Sequence, residues 1–269
     1  MNVFIINLEQ CTDRLKQQET QFKKLGLTFE RLPAVSIEEI STKDYERLAF
    51  NGQRPMKQSE LACFLSHKKA WTAVIEANAP CLILEDDAVL VRDLKNILHD
   101  VATLKNIDVV NLEVHGRKKM ISKQCVATVA QNYHLFELYQ DRSGAAAYIL
   151  FPSGANKLLK RLEHTYPKLA DEFIWNCYSL IGYQIEPAAA LQSDKAEMYQ
   201  VKVPAMHSSV IGFIKNNHEN NALTSSIAKI KYKKNRVVQQ LSLGVHQIKG
   251  IFKFTRREIQ LDNRRFNLD

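Results

Sequence analysis

Pro80 is followed by Cys81-Leu82-Ile83-Leu84 and then by Glu85-Asp86-Asp87, an apolar run that ends in three consecutive carboxylates. The run reads as a buried parallel strand, and the carboxyl end of such a strand is where open α/β sheets place their ligands. Three adjacent carboxylates repel one another, so the arrangement needs water or a cation to compensate it. A divalent cation carrying a phosphorylated substrate is the chemical reading; a solvated loop whose aspartate caps the next helix is the structural one. Three other groups are placed for chemistry: Asn7-Leu8 where the first apolar run ends, Asp13-Arg14 just after it, and Ser66-His67 ahead of the acidic run. No G-x-G-x-x-G follows the first run, and G-x-x-x-x-G-K-[ST], G-x-S-x-G and H-E-x-x-H are absent. Dinucleotide dehydrogenases, P-loop enzymes, serine hydrolases and zincin proteases are therefore disfavoured.

These residues need elements to hold them. Val3 to Leu8 reads as a first strand, Asp13 to Leu25 as a helix stopped by Gly26, and Phe29 to Leu32 as a second strand. A polar loop through Asn51-Gly52-Gln53-Arg54-Pro55 leads into a helix opened by Ser59-Glu60, with Leu61, Phe64, Leu65, Trp71 and Val74 as its apolar stripe. Leu94 to Leu104 is expected to be helical and Asp108 to Leu112 a strand. Gly144 to Leu150 begins with small residues, which fits a strand that a ligand or another backbone approaches closely. Ser153 to Leu162 and Asp171 to Leu180 should be helices, each with an N-cap candidate at its start. Strands alternating with helices predict an α/β fold with a mainly parallel sheet covered on both faces.

A chain of 269 residues suits one large α/β domain with a small appendage, and 45% hydrophobic against 25% charged residues excludes a disordered class. The five cysteines are odd in number and contain no C-x-x-C pair, which argues against a disulfide framework or a zinc knuckle. Met1 to Glu9 lacks a basic start, and no apolar stretch reaches the ~18 residues of a membrane span, so a cytoplasmic location is expected. Lys215 to Asp269 holds twelve Lys or Arg against four acids, so the net charge of +8 lies wholly in that stretch. The expected division is a formally neutral body, 1–214, and a basic helical segment, 215–269. Val238, Leu241, Val245, Ile248 and Phe252 fall at helical spacing there, with Lys249, Lys253, Arg256 and Arg257 nearby. Docking on an anionic membrane surface and packing on the body are both consistent with that pattern, whereas no module for nucleic acid is present.

Four separated motifs, N-L-x5-D-R (Asn7, Leu8, Asp13, Arg14), S-E-L-A-C-F-L-S-H (Ser59 to His67), L-E-D-D (Leu84 to Asp87) and G-A-A-A-Y-I-L (Gly144 to Leu150), occur in this order. Together they resemble family 25 glycosyltransferases, the bacterial lipooligosaccharide enzymes that also have collagen galactosyltransferase relatives. After Ala34-Val35 that family continues Asp-Gly where this chain has Ser36-Ile37, so no donor contact is assigned in that loop.

The resemblance implies a GT-A-type fold and an inverting transfer of galactose or glucose from UDP-galactose or UDP-glucose to a lipooligosaccharide acceptor. It implies Mn2+ or Mg2+ as cofactor, because a hard cation offsets the charge that builds on a departing diphosphate. Glu85-x-Asp87 is then similar to a D-x-D pair, with Asp87 the direct metal ligand and Glu85 and Asp86 reaching the metal through water or touching the ribose and donor sugar. Asn7, Leu8 and Arg14 fall on the nucleotide side, Arg14 towards the diphosphate or uridine, and His67 is a donor contact. His207 is a candidate late metal ligand. Asp171, with Glu172 as its neighbour, stands where such a fold presents its general base, the other reading of Asp171 being an N-cap. The lipid acceptor places the protein at the inner face of the cytoplasmic membrane. Two rivals are a catalytically silent sugar-binding module and a receiver-type signalling domain, the second disfavoured because about 80 residues precede the acids where receivers open on them.

Overall fold

The structure, a computed structural model, describes residues 1–140, 144–202, 226–250 and 252–268. β1 (Asn2–Asn7) is buried from Val3 onward, and α1 (Thr12–Leu25) buries Phe22 and Leu25 before Gly26 ends it at φ 61°, a left-handed conformation that glycine adopts without strain. β2 (Glu30–Pro33) and α2 (Thr42–Ala49) follow. α3 (Gln58–Ala77) starts where Glu60 accepts the Lys57 N–H at 2.8 Å and both guanidinium nitrogens of Arg54 at 2.7 Å. β3 (Cys81–Glu85) lies parallel to β1 with Ile6 opposite Glu85, so the ends of both strands reach the same sheet edge.

Alternation across β1 and β3 divides the core. Val3, Ile5, Leu82 and Leu84 face one cluster with Phe22 of α1 and Leu94, Ile97 and Val101 of α4 (Leu94–Thr103). Phe4, Ile6, Cys81 and Ile83 face the other, with Leu61, Phe64 and Trp71 of α3, Leu158 of α5 (Pro152–His164) and Phe173 of α6 (Ala170–Trp175). Burying each such aliphatic or aromatic side chain contributes about 1.5–3 kcal/mol. The sheet is thus covered on both faces, and the fold is mixed α/β as expected.

Its strand directions need a correction. The remaining strands are β4 (Ala88–Leu90), β5 (Val109–Asn111), β6 (Glu113–Val114), β7 (Lys119–Ser122), β8 (Ala127–Val129), β9 (Tyr133–Gln140), β10 (Ala147–Leu150), β11 (Gly182–Glu186), β12 (Ala190–Gln192) and β13 (Phe254–Arg257). The large sheet runs β13-β7-β9-β11-β5-β10-β3-β1-β2, with β8 on β9, and a small one runs β4-β12-β6. Among the described residues of the large sheet only β2-β1-β3 and β5-β11 pair in parallel, while β10 lies antiparallel between β3 and β5 and the β11-β9-β7-β13 half is antiparallel throughout. Short connections between β7, β8 and β9 permit only antiparallel pairing, and β9 buries Tyr133 and Leu135 while exposing His134 and Glu137.

Two N-cap expectations fail. α5 opens with Pro152 and α6 with Ala170, neither has a side-chain cap, and Ser153 and Asp171 lie inside the first turns. α6 also stops at Trp175 instead of reaching Leu180. Lys157 takes the Ser179 carbonyl at 3.0 Å and Asp108 takes the Ile181 N–H at 2.7 Å, which draws the chain back into β11.

The C-terminal stretch is not wholly helical. α7 (Ser226–Gly250) is followed by β13, which pairs with β7, and Arg257 there grips Glu186 through two bonds of 2.5 Å. The expected boundary at 214/215 lies outside the described residues. α7 meets the body through Asn235, whose amide reaches the Gly52 carbonyl at 2.8 Å, through His246 stacked 3.7 Å from Tyr178, and through buried Tyr232 and Leu243. Val238, Leu241, Val245 and Ile248 are all exposed. Among the described residues no helix is long and apolar enough to cross a membrane.

Asp108 joins three elements at the start of β5. Its carboxylate accepts from Ser153 Oγ at 2.6 Å, Lys157 Nζ at 2.5 Å and the Ile181 N–H, and its carbonyl accepts the Phe151 N–H at 2.9 Å. Burial opposes ionisation, but those donors outweigh it and hold the carboxyl below its ordinary 3.8. A depressed carboxyl stabilises the fold above its unfolded pKa, and that stabilisation is lost as pH falls through the folded value. Asp108→Asn should therefore cost about 1–3 kcal/mol at pH 7 by urea unfolding, and the difference from the wild type should shrink below pH 3.8.

Candidate active site

The acid loop sits where β1 and β3 end side by side, and donors from β1 and α1 converge on it. Asn7 Nδ2 donates to Asp86 Oδ2 at 2.8 Å, Arg14 Nη1 to Asp86 Oδ1 at 2.9 Å, and Gln18 Nε2 to the carbonyls of Asp86 and Ala88 at 3.0 and 2.9 Å. Asn7 Oδ1 in turn accepts from Arg31 Nε at 3.0 Å. Burial pushes the Asp86 carboxyl up against the opposing pull of Arg14 and Asn7, while Asp86 keeps Arg14 cationic despite the burial of its guanidinium. Both Asp86 oxygens are thus engaged inside the protein. Asn7 and Asp86 brace the loop through these bonds.

Asp87 is treated differently. It is 6% exposed, and its Oδ1 has no hydrogen-bond partner among the described residues. Burial first, then the charges of Glu85 and Asp86, drive its pKa well above the ordinary carboxylate range, with Glu113 adding to them. A buried oxygen without a donor, beside other carboxylates, is a site that a cation stabilises.

Glu85 is held from behind. Trp71 Nε1 donates to Tyr148 Oη at 3.0 Å, and the same oxygen pairs with His67 Nδ1 at 2.9 Å. His67 Nε2 in turn pairs with Glu85 Oε1 at 3.1 Å. The histidine is fully buried, so it positions Glu85. Cys63, His67 and Glu85 bring three ligand atoms within 4.8 Å of one another. Burial and the surrounding Glu85, Asp171 and Asp87 charges keep the Cys63 thiol protonated, and both His67 nitrogens have partners, so this trio does not supply the thiolate and free imidazole of a soft-metal site. Glu85 and Asp87 are the hard oxygen donors that suit Mn2+ or Mg2+.

The acids rim a cavity of about 160 Å3 floored by Ile6, Val35 and Ala62, with Leu8 and Arg14 at its side. Val35 is tied down by its N–H on Ser66 Oγ at 2.8 Å. Asp171 and Glu172 open α6, which is anchored by Phe173 stacked on Trp71 at 5.6 Å and by Trp175 Nε1 on the Gly144 carbonyl at 2.7 Å. Asp171 acts electrostatically on Cys63 of α3 and accepts the Glu172 N–H at 2.7 Å, whereas Glu172 pairs with Lys168 at 3.1 Å. His207 lies outside the described residues.

The sequence reading passed over Glu113 and His115. Glu113 is fully buried in β6; one oxygen accepts the Ala146 N–H at 3.0 Å and the other lies 3.4 Å from His115 Nδ1. Its carboxylate raises the His115 pKa above 6.5, outweighing burial. A Cβ on Gly144 would come within 2.7 Å of Glu113, and its φ of +93° independently demands glycine. The one signal in the sequence is an acid directly after an apolar strand, the same pattern that flagged Glu85.

The model of Glycosyltransferase family 25 (LPS biosynthesis protein) matches residues 1–174. The chain belongs to glycosyltransferase family 25. The matched stretch holds every candidate residue except His207. A "Glycosyltransferase 25 family member" of Drosophila melanogaster is 30% identical over 190 residues, covering 64% of this chain and 30% of that protein. Its counterpart in Drosophila pseudoobscura pseudoobscura is 29% identical over 188 residues, covering 64% and 29%. Procollagen galactosyltransferase 1-A of Xenopus laevis is 32% identical over 135 residues, covering 44% and 21%. The chain spans less than a third of the length of these family 25 relatives. Among solved structures, the inositol-1-phosphate CTP transferase from T. maritima overlaps with a TM-score of 0.41 at 11% identity, over 71% of this chain and 89% of that one.

A carboxyl with a raised pKa weakens the fold once it ionises, so the penalty from Asp87 is absent below its unfolded pKa and complete above the folded value. Asp87→Asn should raise metal-free stability by about 1–3 kcal/mol under conditions where Asp87 is ionised. Thermal melts with chelator should show the gain there and its disappearance at pH 3, and a loss of stability in Asp87→Asn would contradict the unpartnered oxygen.

Proposed function

We propose that this member of glycosyltransferase family 25 transfers galactose or glucose from a UDP-sugar to a saccharide acceptor of a lipooligosaccharide or lipopolysaccharide core, with inversion and with Mn2+ or Mg2+. The observation that carries the reading is the buried, unpartnered Asp87 oxygen beside Glu85 at the end of β3. Asp87 and Glu85 would hold the cation, which supplies the positive charge that a departing diphosphate needs. The cavity beside them combines an apolar floor with a cationic Arg14, a lining that suits a nucleoside with its phosphates at the acid rim. Asp86 keeps the loop in shape, and His67 keeps Glu85 turned towards the cavity.

Asp171 is the favoured base. It stands on the helix packed against α3, on the side of Cys63, while Glu172 is engaged by Lys168. A base acting on the acceptor hydroxyl in the transition state supplies roughly 10²- to 10⁴-fold. Asp171→Asn should thus lower kcat about a hundredfold or more with donor affinity little changed. Damage from Glu172→Gln in its place would move the base by one residue.

The donor and metal are tested together by incubating the protein with a panel of nucleotide sugars and following UDP release. Release is expected with UDP-galactose or UDP-glucose, to vanish with EDTA and to return with Mn2+ or Mg2+. Full turnover in excess EDTA would remove the metal from the reaction, and no release from any donor would favour a silent sugar-binding module.

A further inference from the structure

α7 has two faces with different fates. At about 100° per residue, Tyr232, Asn235, Leu243, His246 and Gly250 share an arc of roughly 80°, and this is the side that packs on the body. Ile230, Val237, Val238, Leu241, Val245 and Ile248 share an opposite arc of roughly 100°. Those six are 45% to 72% exposed, and Phe252 just beyond the helix is 86% exposed. Six large apolar residues in a row on one outward face exceed the scatter of single exposed hydrophobics on an ordinary surface. The helix carries six Lys or Arg and no acid; Lys233, Lys234 and Arg236 are exposed, while Lys231 donates to the Phe50 carbonyl at 3.2 Å.

We propose that this outward face of α7 is a docking surface for an anionic lipid bilayer, with the helix lying in the plane of the interface. The apolar stripe enters the boundary between headgroups and acyl chains, Phe252 adds a ring at its end, and the lysines meet the lipid phosphates. The charge argues for this occupant over a second copy of the chain, because two copies facing each other through α7 would bring twelve cations together without a compensating acid from either helix. The packing contacts of the other face need not be broken, since the bilayer takes only the side that the body leaves uncovered. The sequence left open whether the tail helix packs on the domain or docks on a membrane; the two faces let it do both.

The test uses the full chain and vesicles of phosphatidylcholine with or without phosphatidylglycerol. Cosedimentation is expected only with the anionic vesicles. Each basic group near such a surface contributes about fivefold in affinity, so Lys233→Gln and Lys234→Gln combined should weaken binding about 25-fold. Leu241→Ser with Ile248→Ser, which leaves the charge intact, should weaken it at least tenfold if the stripe is inserted. Val245→Trp provides a readout that does not depend on a destabilised variant, with emission shifting to the blue on anionic vesicles alone. Unaltered melting temperatures and donor hydrolysis would separate lost docking from lost folding. Equal binding to both vesicle types, no binding, or a stripe variant that binds as well as the wild type would overturn the proposal. So would a dimer in solution that the stripe variant converts to monomer.

Discussion

Asp86 and Asp87 are adjacent in sequence and opposite in circumstance. Donors from β1 and α1 converge on Asp86, with Asn7 and Arg14 on its two oxygens and Gln18 on its carbonyl. That allocation is possible only because β1 and β3 are parallel neighbours in register, so that Asn7 arrives beside the loop and α1 starts above it. With the loop fixed from one side, Asp87 is carried into the interior with its Oδ1 lacking a donor among the described residues. The fold thus concentrates its electrostatic cost on one carboxyl and places that carboxyl next to a cavity.

A second chain of contacts fixes the remaining acid. Trp71 and His67 are one turn apart on α3, and Tyr148 comes from β10, the strand that runs antiparallel beside β3. The indole donates to Tyr148, whose oxygen and Glu85 between them engage both ring nitrogens of His67. The stacked Trp71 and Phe173 rings extend the same support to α6. The acid end of β3 and the start of α6 therefore rest on one aromatic wall.

Much of the first half of the fold was legible because its elements are long and strictly patterned. α1 with its Gly26 stop, α3 with its stripe, and β3 with its acids stand within a residue or two of where the sequence put them. The region from Glu113 to Gln140 was not legible, because its strands are two to eight residues long and pair through contacts that no local period reveals. The engagement of the His67 ring was not legible, because its partner Tyr148 is 81 residues away. The bond between Asn7 and Asp86 spans 79 residues and was hidden for the same reason. On α7 the apolar period was read correctly, but the face that packs is the polar and aromatic one, whose partners Gly52 and Tyr178 lie far upstream.

The pairing of β13 with β7 has a consequence in time. Thr255 lies opposite Ile121 at the outer edge of the large sheet, whereas β1, β2 and β3 form the opposite end from the first 85 residues. Synthesis at about 5–20 residues per second leaves β7 without its outer partner for roughly 7–27 s after it has emerged. During that interval the edge is open to any other strand, and the sites on Glu186 that Arg257 will grip are unfilled. A strand made well after β7 thus covers the edge that β7 leaves open.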